Sequence, residues 1–199
     1  MIKENQILTI AKENDGIVKT KDLEENKIPR IYLTKLIKQN KLFRIDRGIY
    51  STYRSSVDPF YAMQVKSKKV IFSHFTALEI QGIYKNIESQ YQISVPQSYN
   101  AKKFKHFKVF YDNENGYELG LTTYEYNGYL LKTYDIERSV CDIIKDRHRF
   151  DEGDYYKFIN YYFNKPDLNY QKLLKYSQVL KISELVHHYL SLFKSWVTF

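Results

Sequence analysis

A single cysteine, Cys141, in a chain of 199 residues leaves no intrachain disulfide and too few thiols for a cysteine-based zinc site. The seven glycines (16, 48, 82, 116, 120, 128, 153) never fall into G-x-G-x-x-G, and no Gly-Lys-Ser/Thr occurs, so no phosphate-cradling loop is expected. The five histidines include only one close pair, His187-His188, whose side chains point about 100° apart on a helix, unlike the i, i+4 pair of a zinc site. No window approaches the ~20 apolar residues of a membrane span. The start, MIKENQILTIAKEND, mixes charges among its apolar residues and is no signal peptide. These absences predict a soluble, cytoplasmic protein with no metal, no cofactor and no complete catalytic motif. A restriction-type nuclease is the enzyme class worth weighing. It would need an acidic residue on one strand and Glu-x-Lys on the next. Asp112 ends an expected strand, but Glu125 is followed by Tyr126-Asn127, with no lysine in place.

What is present is a hydrophobic content of 43%, enough for a real core, and a net charge of +8 that is unevenly spread. Residues 1–55 hold 12 Lys/Arg against 7 Asp/Glu, a net of +5; residues 56–199 hold 19 against 16, a net of +3. The excess is concentrated from Lys27 to Arg54, where eight basic residues face Asp46 alone. Such a cluster is the electrostatic footprint of a phosphate-binding surface.

The pattern around it predicts three short helices and a hairpin. Ile7, Leu8, Ile10 and Ala11 give residues 3–14 an apolar face, with Gly16 as the stop. Ile17-Val18 reads as a short extended link. Thr20 stands as N-cap of a second helix over 21–25, with Asp22 in its first turn and Leu23 inward. Pro29 suits the start of a third helix, in which Leu33, Leu36 and Ile37 form an apolar stripe, ended by Asn40 in the left-handed conformation. Residues 42–45 and 49–52 then pair around Asp46-Arg47-Gly48. Helix, helix, helix and hairpin make a winged helix-turn-helix. The face of the third helix opposite its stripe carries Ile31, Thr34, Lys35 and Lys38, flanked by Arg30 and Tyr32. It combines cations for phosphate or guanine edges with methyl groups for thymine. Arg44 and Arg47 sit on the wing, and the backbone at Thr20 and Lys21 opens a helix start suited to a phosphate. These residues are the candidate contacts to double-stranded DNA.

The run D-L-x(4)-I-x(4)-L-x-x-L-I from Asp22, followed by Leu42-Phe43-Arg44-Ile45-Asp46-Arg47-Gly48-Ile49-Tyr50, resembles the N-terminal domain of the AbiEi family, the antitoxins of AbiE abortive-infection systems. Members often carry Gly where this chain has Asn40, with the same turn chemistry. The resemblance extends through a Ser73-His74…Ala77 helix, a strand ending Val95-Pro96, and a strand leading to the helix Arg138-Ser139-Val140-Cys141-Asp142. It thus spans most of residues 3–146. It implies an autorepressor that binds inverted repeats in its own promoter with self-association on DNA. It further implies a C-terminal domain that counteracts a nucleotidyltransferase-like AbiEii toxin in a type IV phage-defence pair, without a stable complex. Two other readings stand beside it: a plain winged-helix regulator whose C-terminal domain senses a ligand or partner, and an antitoxin that sequesters its toxin through C-terminal helices.

The fold class expected is α/β of the α+β type. A winged helix-turn-helix at 1–54 precedes a mixed sheet-plus-helix domain at 57–199, with a joint at 55–58. Strands are expected near 91–96, 108–111, 121–126 and 129–133, the last two turning at Asn127-Gly128. Arg138 and Asp142, four apart on one helix, read as an ion pair fixing that helix to the sheet. A helical tail follows, over 154–163, 169–180 and from Ser183 onward, with Leu185, Val186, Tyr189, Leu190 and Phe193 on one stripe.

Overall fold

The structure, a computed structural model, describes residues 2–53, 57–85 and 90–193. Arg54 and the first two residues of the expected joint, Ser55 and Ser56, lie outside the described residues. The chain divides into two compact units, residues 1–66 and 67–199.

Unit 1 contains α1 (Ile2–Glu13), β1 (Ile17–Lys19), α2 (Thr20–Glu25), α3 (Ile31–Lys38), β2 (Phe43–Asp46), β3 (Ile49–Ser51) and α4 (Pro59–Lys66). Its core joins Ile7 and Ala11 of α1, Val18, Leu23, Ile28, Leu33 and Leu36 of α3, and Leu42, all buried. Gly16 (φ +79°) and Asn40 (φ +55°) take the left-handed conformations that end α1 and α3. Ile17-Val18 is more than a link: β1 pairs antiparallel with β3, giving a three-stranded sheet in the order β1-β3-β2. The helix after the joint belongs to unit 1, beyond the expected end of the winged domain at residue 54. Asp58 caps it by accepting from the Phe60 N–H at 2.8 Å, the Tyr61 hydroxyl donates to Asp15 at 3.3 Å, and Lys66 pairs with Asp46 on the wing. The Lys66 ammonium, then the Arg47 N–H, hold the Asp46 carboxyl below the usual carboxylate range.

Unit 2 is built on a five-stranded mixed sheet of order β6-β5-β4-β8-β7, from β4 (Ile71–Phe72), β5 (Gln92–Pro96), β6 (Lys108–Asp112), β7 (Leu121–Tyr126) and β8 (Tyr129–Tyr134). Positive φ at Asn127 (+50°) and Gly128 (+80°) makes the tight β7–β8 hairpin that the dipeptide predicts. The helices are α5 (His74–Ile80), α6 (Glu114–Tyr117), α7 (Ile136–Lys145), α8 (Glu152–Phe163), α9 (Tyr170–Val179) and α10 (Ser183–Phe193). One core cluster unites Phe110 of the sheet, Val140, Ile143 and Ile144 of α7, Phe158 and Phe163 of α8, Leu173 of α9 and Val186 and Leu190 of α10. The tail therefore packs on itself and on the sheet layer. Cys141 is fully buried in this cluster, and burial pushes its thiol up, away from the nucleophilic thiolate.

The Arg138–Asp142 pair lies at the centre of unit 2, fully buried. Arg138 Nε donates to Asp142 Oδ1 at 2.9 Å, its Nη2 lies 3.2 Å from Asp112 Oδ2, and Nη1 donates to the carbonyls of Leu119 (2.8 Å) and Gly116. The guanidinium carbon stands 4.0 Å from the Tyr134 ring centroid. Burial opposes the guanidinium's charge, but the carboxylates outweigh it and raise its pKa; burial likewise pushes the Asp142 carboxyl up against the pull of Arg138. Gly120 (φ +71°) lets the loop pass over this side chain, since a Cβ there would lie 2.6 Å from Arg138 Cβ. Among the described residues no helix is long and apolar enough to cross a membrane.

Candidate nucleic-acid interface

The third helix of unit 1 buries Leu33 and Leu36 and half-buries Tyr32, so its exposed arc is set by what remains. At about 100° per residue, Arg30, Thr34, Lys38, Ile31 and Lys35 occupy a continuous arc of roughly 140°. All five are exposed, Ile31 at 61%. A large aliphatic side chain held in water beside three cations is what a groove-facing helix presents to bases and phosphates. Ile37, expected in the buried stripe, is 36% exposed and lies at the rim of this arc. The 3.6-residue period puts it beside Leu33, but the wing does not cover it.

Between α3 and the wing lies an open hollow of about 570 Å³. Five of the residues marked from sequence line it: Thr20, Arg30, Thr34, Arg44 and Arg47. Leu33 and Ile37 contribute apolar surface from the helix side, and Gly48 and Tyr50 from the wing; none of these four was among the candidate DNA contacts. Gly48 carried a signal, since it follows Asp46-Arg47 in the turn. The other candidates stand apart. Lys21 pairs with Glu25 at 3.3 Å, Lys35 Nζ lies 5.2 Å from the Tyr32 ring centroid, and Lys38 is exposed at the end of α3.

The wing's geometry rests on a β-bulge. In the β2–β3 pairing Arg44 opposes Tyr50 and Asp46 opposes Ile49, leaving Ile45 as the extra residue. A bulge bends its strand and re-aims the neighbouring side chains; Arg44 Nε donates to the Asp46 carbonyl at 3.3 Å within it. The turn closes with the Arg47 N–H donating to Asp46 Oδ1 at 2.6 Å and Gly48 at φ +73°. Arg44 and Arg47 are both exposed.

Thr20 has a different role from the N-cap expected of it. The α2 helix begins at Thr20 itself, and Asp22 Oδ2 accepts from the Lys19 N–H at 2.7 Å. The Thr20 N–H and hydroxyl both donate to the Gly48 carbonyl, at 2.8 and 3.1 Å, so Thr20 ties the wing tip to the helices. A Cβ on Gly48 would meet Thr20 Oγ1 at 2.7 Å. The start of α2 is also a poor phosphate seat, because the Asp22 carboxylate already occupies it and would repel a second anion.

Arg30 is held by Glu24 in an exposed ion pair that must open before the guanidinium meets a phosphate. Exposed pairs are worth about 0–1 kcal/mol. Glu24→Gln should therefore tighten DNA binding several-fold, by freeing Arg30 and removing a negative charge. Filter binding at fixed salt reads this directly; unchanged or weaker binding would place Arg30 away from DNA.

The nuclease alternative meets a spatial obstacle. Asp112 and Glu125 lie on the opposite edge strands β6 and β7. Four strand spacings separate them, about 19 Å at ~4.8 Å each. Asp112 instead faces Arg138 and, at 3.4 Å, Lys145.

The chain's likeness to known proteins bears on both units. The overall fold is similar to the crystal structure of the RV2827C protein from Mycobacterium tuberculosis, with a TM-score of 0.58 over 95% of this chain and 77% of that one. The two share 11% sequence identity, so the likeness is one of fold. No curated protein matches the sequence. The family model described as "Transcriptional regulator, AbiEi antitoxin" matches residues 5–52, the span from α1 through the wing. Over residues 5–52, this chain is similar to the AbiEi antitoxin family of transcriptional regulators.

Proposed function

We propose that the protein is the antitoxin of an abortive-infection toxin–antitoxin pair and the DNA-binding autorepressor of its own operon. The carrying observation is the hollow between α3 and the wing, where Arg30, Thr34, Arg44 and Arg47 converge within the span matched by the family model. In this reading α3 lies in the major groove, with Thr34 and Ile31 against base edges and Lys35 and Lys38 toward phosphates. The wing arginines hold the flanking backbone or minor groove. A single module of this size buries only about 600–1,000 Å² on DNA, less than most specific sites use. Two copies on inverted repeats supply the remainder, and their association on DNA makes the binding cooperative. The protein is not an enzyme in this account. Unit 2 counteracts a nucleotidyltransferase-like toxin in the cytoplasm by the type IV route, without a stable complex.

Gel shifts of the full-length protein across a salt series, on its own upstream DNA and on scrambled DNA, test the first half. Stepwise, sequence-specific binding to a repeat is expected; equal binding to both sequences would reduce the interface to a generic basic surface. The second half is tested by a fragment ending at Lys66, which retains α4 and its Lys66–Asp46 pair. It should bind single half-sites weakly and give no protection when a nucleotidyltransferase toxin encoded beside this gene is expressed. Full protection by the fragment would overturn the division of roles.

A further inference from the structure

The β6 edge of unit 2 carries a charge pattern that the fold does not require. Residues 90–111 contain no Asp or Glu, four lysines (102, 103, 105, 108), His106 and six Tyr or Phe. The lysines are presented by a 3-10 turn, Lys102–Phe104, anchored by Phe104, which is 2% exposed. Lys102, Lys103, Lys105 and His106 around that anchor are exposed. An edge strand needs some charge to discourage pairing with other chains. Lys108 and Arg149 meet that need. Lys108 Nζ lies 4.4 Å from the Phe150 ring centroid, and Arg149 donates to the Val109 carbonyl at 3.2 Å with its guanidinium 3.9 Å from the Phe110 ring centroid. Lys102 and Lys105 are surplus to that purpose, and Lys103 Nζ lies 5.2 Å from the Phe104 ring centroid.

Two tyrosines accompany them. Tyr111 on β6 is 52% exposed, and Tyr91, whose carbonyl accepts from the Lys108 N–H at 2.9 Å, is 43% exposed. The parallel register pairs Val95 with Tyr111, so alternation puts Tyr91, Ile93, Val95 and Tyr111 on one face of the sheet. Tyr91 and Tyr111 stand four register positions apart, about 13 Å at ~3.3 Å per residue. Two exposed aromatic rings, one just before β5 and one on the neighbouring β6 with the buried Ile93 and Val95 between them, offer separate stacking positions beside the lysine-rich connection of residues 102–105. Among the described residues the helical elements at this edge are three-residue turns, Lys102–Phe104 and Arg147–Arg149, too short to enter a duplex groove.

We propose that unit 2 binds single-stranded nucleic acid across its β5–β6 edge, with Lys102, Lys103 and Lys105 on the phosphates and Tyr91 and Tyr111 stacking bases. This site is separate from the winged interface and does not depend on the operator reading. The test uses full-length protein carrying Arg44→Ala and Arg47→Ala to weaken the winged interface. Fluorescence anisotropy then follows its binding to a labelled oligo-dT or oligo-U strand and to a duplex of scrambled sequence. Single strands should bind more tightly than the duplex. Changing Lys102, Lys103 and Lys105 together to Gln should reduce the salt slope for single strands by about 2, at ~0.7 per lost phosphate contact. Tyr111→Ala, and independently Tyr91→Ala, should weaken single-strand binding by about five- to a hundredfold while leaving that slope unchanged, and Tyr111→Phe should restore it. Tighter binding of the duplex, an unchanged slope in the triple-lysine variant, or unchanged affinity in both tyrosine-to-alanine variants would each overturn the proposal.

Discussion

Arg138→Ala should destabilise unit 2 by about 3–5 kcal/mol, the range for removing one partner of a buried ion pair. The loss is large because the guanidinium serves several elements together. It pairs with Asp142 on its own helix, reaches Asp112 at the end of β6, and donates to the carbonyls of Gly116 in α6 and Leu119 between α6 and β7. Removing it leaves the Asp142 carboxylate, 1% exposed, without its cation, and takes one donor each from the Gly116 and Leu119 carbonyls. The double variant Arg138→Met/Asp142→Leu should recover much of the loss, because a well-packed apolar pair can replace a buried ionic one at little cost. Recovery will be incomplete, since among the described residues Asp112 would keep Lys145 and the Tyr134 hydroxyl but lose the guanidinium. Chemical denaturation of the two variants and the parent checks both statements. A single-variant loss below about 1 kcal/mol would mean that water reaches the site and the network is not the keystone of unit 2. Asp112 shows why this cluster is structural: it faces the buried Arg138 and lies on the opposite edge strand from Glu125.

The second large effect concerns DNA. Arg44→Ala together with Arg47→Ala should weaken binding to operator and scrambled DNA alike by roughly a hundredfold, about 3 kcal/mol for two charge-assisted contacts. The salt slope should fall by about 2, at ~0.9 per phosphate contact released. Because these arginines sit on the wing and not on the groove-facing arc of α3, the ratio of operator to scrambled affinity should change little. Thr34→Ala should do the reverse, lowering that ratio at nearly constant salt slope. Unchanged slopes in the double variant would put the wing away from DNA, and a collapsed ratio would make the wing a reader of sequence. The stability of the double variant should stay close to that of the parent, since both side chains are exposed. The neighbouring Gly48 differs, because its left-handed φ and its closeness to Thr20 tie any substitution there to the fold of the wing.

Much of this architecture was readable from local patterns. The left-handed stops at Gly16 and Asn40, the Asn127-Gly128 hairpin and the apolar stripes of the tail helices each depend on residues close in sequence. The mixed α+β class follows from their order. The misread points depend on elements far along the chain, either on their arrival or on their failure to cover a residue. Thr20 looks like an N-cap from its neighbours, yet its hydroxyl is used by Gly48, 28 residues on. Ile17-Val18 becomes a strand only because β3 arrives beside it. Ile37 keeps perfect stripe spacing but meets no covering element. The bulge at Ile45 has no composition signal at all.

The basic helix, the wing and their shared charge were thus determined by the sequence itself, because helix period, turn chemistry and net charge are local properties of the chain. The tertiary structure alone decided which of those cations share the hollow beside Thr34, and that Arg138 reaches across 26 residues to Asp112 at the centre of unit 2. Side-chain convergence depends on where separate elements pack, and burial then turns an ordinary i, i+4 pair into a network whose removal leaves charges in a medium too apolar to solvate them.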